Sequence, residues 1–159
     1  MRNFVEISLG IIIAFLLYSI IGKISFSLSQ LLNFFTLAVI YFAVTRGELY
    51  GACIGTVCGL IQDSFSLGVF GISGLSKTLI GFLAGFIAQR INILPLVRNF
   101  LFILVLAIGE TALSIFLYYF ISTEYVSEIT PLVLFQPLGT AFLGSVVFLF
   151  LRKFRALSF

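Results

Sequence analysis

The stretch from residue 99 to 121 carries one charged side chain, Glu110. A helix needs about 20 apolar residues to cross the ~30 Å hydrocarbon core of a bilayer, and a run this long and uncharged cannot face water. Charges and turn residues mark off further apolar runs, and the spans read along the chain are 4–21, 28–44, 48–61, 75–88, 99–121 and 131–151. Composition agrees, with 61% of the 159 residues hydrophobic and 9% charged, against roughly 25% charged in soluble domains. That balance excludes a soluble enzyme, a disordered chain, a nucleic-acid-binding domain and a disulfide-stapled secreted module. The expectation is an all-α integral membrane protein with six transmembrane helices in one polytopic domain, residues 1–159. Membrane lipid is among its partners and nucleic acid is not.

The first, fifth and sixth spans are long enough to cross with some tilt, whereas the third and fourth are short and glycine-rich. Between those two, residues 62–74 hold Gly68, Gly71 and Gly74 together with Phe65, Leu67, Val69, Phe70 and Ile72. So apolar a connection is expected to pack back into the mouth of the bundle, because non-helical backbone at membrane depth needs shielding. Sidedness follows from lysine and arginine placement. Six spans put Arg2, Arg46, Arg90, Arg98, Arg152, Lys153 and Arg155 on one side, and Lys23, Lys77, Asp63, Glu124 and Glu128 on the other. Both termini are therefore expected in the cytoplasm. The first run follows Arg2 as a signal peptide would, but it is too long for a typical signal core and carries Glu6, so it reads as an uncleaved span. Thr130 and Pro131 read as a cap and first helical residue. Pro137 predicts a kink near the outer end of the sixth span.

Missing residue types narrow the chemistry. With no histidine, a Ser–His dyad and a His-ligated zinc or haem site are out of reach. Asp63 is the only aspartate, so an aspartate pair is too. Cys53 and Cys58 fall about 140° apart around one helix, which neither bridges nor chelates. There is no glycine-rich phosphate loop with a lysine and no strand pattern. No catalytic residue, metal ligand or cofactor is expected, and the chain reads as a binder rather than an enzyme. Its 20 phenylalanines read as lipid-facing bulk.

Two features of the apolar runs call for an explanation. Gly47, Gly51, Gly55 and Gly59 recur every four residues, Asp63 falls on the next step, and Gly81 and Gly85 form a second pair with Lys77 one step before them. Small residues let membrane helices approach closely. The stripe drifts about 160° around a straight helix, which suits a steep right-handed crossing. It serves either to pack the third and fourth spans together or to dock a helix of another protein. The second feature is charge at membrane depth. Glu110 lies near the middle of the fifth span, and an unpaired charge there costs about 3 kcal/mol on insertion scales. Lys77 is its partner by depth, and the expectation is a polar cluster or pocket of Asp63, Lys77, Glu110 and Gln136 below the outer surface, with Thr140 one turn from Gln136. Near the end of the chain, Arg152, Lys153 and Arg155 read as membrane-interface anchors.

Gly51, Gly55, Gly59, Leu60 and Asp63, followed by Gly71, Leu75, Leu79, Gly81 and Gly85, make an ordered series. In it, segment 47–90 resembles the MreD family of bacterial rod-shape-determining membrane proteins. It departs from that family's pattern in the loop, where residues 66–70 lack a proline before the glycine. The resemblance implies a multi-pass protein of the bacterial cytoplasmic (inner) membrane, a non-enzymatic scaffold or regulator of the elongation machinery. It implies an MreC-like partner with a single membrane span, alongside RodA, a class B penicillin-binding protein and MreB, in support of lateral peptidoglycan synthesis and rod shape. The implied fold is similar to the S component of energy-coupling-factor transporters, a six-helix bundle with an outward cavity. A vitamin-binding S component is therefore the second reading. Gly10 and Ala14 make a small-residue pair that such a component could use against its transmembrane partner.

Overall fold

A computed structural model describes residues 2–24, 31–65, 69–91, 96–121 and 131–156, with side chains described for 5–23, 31–65, 69–91, 96–121 and 133–150. Among the described residues there are six helices and no strand: α1 (Arg2–Ile24), α2 (Phe34–Arg46), α3 (Glu48–Phe65), α4 (Ile72–Ala88), α5 (Leu96–Ile121) and α6 (Pro131–Ala156). Three of them are long and apolar enough to cross a membrane, over Val5–Lys23, Leu96–Ile121 and Val133–Phe150. The all-α class is as expected, and of the six expected spans these three are long and apolar enough to cross on their own.

α2 holds the centre. Its 13 residues make a rod of about 20 Å at 1.5 Å per residue, short of the ~30 Å hydrocarbon thickness. It starts at Phe34 rather than at the expected residue 28, because Asn33 caps it: the Asn33 side chain accepts the Thr36 backbone N–H at 3.2 Å. Asparagine is among the strongest N-cap residues, since its short side chain satisfies a donor the helix leaves unpaired. A helix apolar on every side belongs in an interior, and α2 buries both of its flanks. Leu37, Ile40 and Ala43 pack with Ile80, Ala84, Ile103, Leu106 and Ala141 of α4, α5 and α6. Phe34, Phe35, Val39 and Phe42 pack with Ala14, Ile54 and Cys58 of α1 and α3.

α1 lies against α2. A β-carbon at Gly10 would collide with the Phe42 ring, Ala14 is buried, and the Tyr18 and Phe35 rings sit 5.5 Å apart. Glu6 forms an ion pair with Arg46, which places the start of α1 and the end of α2 at one end of the bundle.

Several boundaries shift from the sequence reading. α3 continues to Phe65, whose ring lies 5.4 Å from that of Phe15, and α4 begins at Ile72. The link between them is correspondingly shorter than residues 62–74. Of the apolar residues expected to pack back into the bundle mouth, Ile72 is buried, whereas Phe70 is 65% exposed. Leu67 and Gly68 lie outside the described residues, as do the Thr130 cap, Glu124 and Glu128. α6 runs on through Pro137.

Candidate functional site

The glycine stripe is the seam between α3 and α4. Gly81 carbonyl atoms crowd the β-carbon position of Gly51, with the carbonyl carbon 2.8 Å away, and Gly51 crowds Gly81 in return. Lys77 backbone closes over Gly55, Gly74 over Gly59, and Glu48 over Gly85. Steps of three or four residues down α3 meet steps of three or four residues up α4. Backbones this close gain dispersion and Cα–H···O contacts that a side chain would forbid. Gly51, Gly55, Gly59, Gly81 and Gly85 are therefore covered within the chain. Gly47 departs from the expected helical stripe. It is the single residue linking α2 to α3, at φ 99°, a backbone region that side chains disfavour.

Lys77 fills the α4 slot opposite Gly55, so its backbone faces α3 while its side chain reaches α5. There its ammonium forms an ion pair with Oε1 of Glu110. Lys77 is 1% exposed and Glu110 6%. A buried pair of this kind needs further hydrogen bonds to offset desolvation, and α2 supplies them. The Asn33 side-chain amide donates to Oε1 of Glu110 at 3.3 Å, and the Thr36 hydroxyl donates to Oε2 at 2.6 Å. The positive end of the α2 dipole lies beside the same carboxylate. α6 joins through Thr140, whose hydroxyl accepts the Asn33 backbone N–H at 3.2 Å. That bond satisfies a backbone donor just outside the helix. A second tie links α5 to α4, the Ser114 hydroxyl donating to Ser76 at 3.0 Å.

Two members of the expected cluster sit differently. Asp63 caps α4, its carboxylate turned to that helix's first-turn backbone instead of to Lys77 or Glu110. Its Oδ2 accepts the backbone N–H of Gly71 at 2.8 Å and of Gly74 at 3.2 Å, and its Oδ1 accepts that of Ser73 at 3.2 Å. The reason is local, because Gly71 stands at the N-cap position of α4 with no side chain to offer, and the first-turn donors need an acceptor. Gln136 makes no hydrogen bond to Lys77 or Glu110, but lines a cleft beside Glu110, Asn33, Thr36 and Thr140, with a cavity volume of about 10 Å³. The centre is thus Lys77, Glu110, Asn33, Thr36 and Thr140. Asn33 and Thr36 were not anticipated, although an asparagine three residues ahead of a threonine at the start of an apolar run is a cap signal. The backbone of Arg152, Lys153 and Arg155 continues α6, and their side chains lie outside the described residues.

Chemically, this arrangement fixes four helices around one neutralised charge pair. Cys53 and Cys58 are free thiols, one exposed and one buried. Among the described residues no group of three or more His, Cys, Asp or Glu side chains is placed to hold a metal ion.

No curated protein and no solved structure matches the chain. The family model described as rod shape-determining protein MreD matches residues 1–154, taking in the glycine seam, the Asp63 cap and the Lys77–Glu110 centre together. A match of that extent, on a chain whose apolar helices are built for a membrane, assigns the protein to the MreD family of rod shape-determining membrane proteins.

Proposed function

We propose that this rod-shape protein acts as a multi-pass scaffold of the bacterial inner membrane, with both termini cytoplasmic. In this reading it holds the single membrane helix of an MreC-like partner and thereby supports lateral peptidoglycan synthesis with RodA, a class B penicillin-binding protein and MreB. The observation that carries the reading is that buried charge goes into holding helices together. Lys77 and Glu110 neutralise each other, and Asp63 is committed to the first turn of α4. A centre so committed suits a rigid body that presents lipid-facing surfaces to other membrane helices. Because α4 covers Gly51, Gly55 and Gly59, the partner helix meets the bundle on its outer faces instead of that stripe.

The transporter reading is weaker on one specific point. The Gly10 and Ala14 pair, which an S component could use against its membrane partner, faces Phe42 and the core. Affinity purification from the native membrane in mild detergent, followed by mass spectrometry, tests the choice. Recovery of a single-span protein with wall-synthesis enzymes is expected. Recovery of an ATP-binding-cassette pair without them would overturn the scaffold reading.

A further inference from the structure

The cleft beside the ion pair has an incomplete set of hydrogen bonds on its walls. Thr140 is 1% exposed. Its hydroxyl oxygen accepts the Asn33 N–H, yet its hydrogen, one per hydroxyl, has no acceptor among the described residues. Gln136 brings an amide with both donors and an acceptor, and none of these is used by another described residue. Oε2 of Glu110 receives the Thr36 hydroxyl and retains capacity for a second donor. Thr111 also lines the cleft, but its hydroxyl already donates to the Ala107 carbonyl at 3.0 Å.

These walls specify their occupant. It must accept from Thr140 and donate toward Glu110 or Gln136, so it needs both hydrogen-bonding roles. It need not carry charge, because Lys77 already balances Glu110. It must also be small. A cavity of about 10 Å³ matches a single water, which is held where two to four polar partners converge. We propose that this cleft is a binding site for one water molecule, which accepts from the Thr140 hydroxyl and donates to Oε2 of Glu110 and the Gln136 carbonyl oxygen. The water ties α6 to α5 beside Pro137, where α6 lacks a backbone N–H for its own ladder. This inference stands independently of the partner proposed above.

Proton-detected solid-state NMR on the full chain in lipid bilayers tests it, by following magnetisation transfer from water to the Gln136 side-chain amide. Transfer is expected in the wild type, and its persistence with a paramagnetic agent in the aqueous phase marks a held water. It should survive Thr140→Ser and Thr111→Val and be lost in Thr140→Val. Absence of transfer in the wild type, its quenching by the paramagnetic agent, or undiminished transfer in folded Thr140→Val would each overturn the proposal. If Thr140→Val fails to fold, the wild-type measurement with and without the agent decides the matter alone.

Discussion

Replacing Gly55 by alanine adds one methyl group at the point where α3 and α4 backbones meet. The new carbon would lie 2.7 Å from the Lys77 carbonyl carbon and 3.0 Å from the Thr78 nitrogen. Non-bonded carbons rest at about 3.5–4.0 Å, so the helices must part by about 1 Å. Neither atom is the end of a flexible side chain, and neither can turn aside. Separation would also loosen the neighbouring contacts at Gly51 and Gly59. Overpacking of this kind costs about 1–3 kcal/mol. Gly109→Ala is the matched control, since its added carbon meets only the tip of Ile80 at 3.4 Å and gains up to about 1 kcal/mol of helix propensity. Equilibrium unfolding of both variants in mixed micelles, checked for two-state behaviour, measures the difference. The expected order is Gly109→Ala at or above wild type and Gly55→Ala clearly below it. If Gly55→Ala is as stable as Gly109→Ala, the seam is not a backbone contact and the packing argument fails.

The polar centre and the cap give further expectations. Lys77→Met and Glu110→Gln should each cost about 3–5 kcal/mol, since each leaves a buried charge unpaired, and the double variant should cost far less than their total; strict additivity in the same unfolding assay would rule out the pairing. Thr36→Val removes the hydroxyl donor to Oε2 of Glu110 and should cost about 1–3 kcal/mol, with Thr36→Ser retaining most of the stability. Asp63→Ala should destabilise by about 1–2 kcal/mol, the scale of a lost cap, and speed hydrogen exchange at Gly71, Ser73 and Gly74 more than at Ala84. Uniform exchange along α4 would contradict the capping role.

How far the chain could be read without its fold varies from one residue to the next. The length and apolarity of α1, α5 and α6 are visible directly, because a bilayer imposes a length on any helix that crosses it. The ordered glycines and Asp63 carry the family resemblance without any coordinates. Asp63 itself was harder to place. Its place on the same outer side as Lys77 suggested a shared pocket, but the carboxylate instead answers the unpaired donors at Gly71, Ser73 and Gly74. Which acceptor serves those donors depends on how the link between α3 and α4 turns. Asn33 is hidden in the sequence because the apolar run around it looks like one long span, whereas α2 begins at Phe34.

By itself, then, the amino-acid order determined the solvent this chain requires, its helical class and the family it belongs to. Those properties follow from hydropathy and from small-residue spacing, which act locally along the chain. Only the tertiary structure decided what the scarce polar residues do. Asn33 and Thr36 meet Glu110 across more than 70 positions of sequence, and Thr140 meets Asn33 across 107. A buried charge takes its partners from whichever helices surround it, and those neighbours exist only once α2 is enclosed by the others.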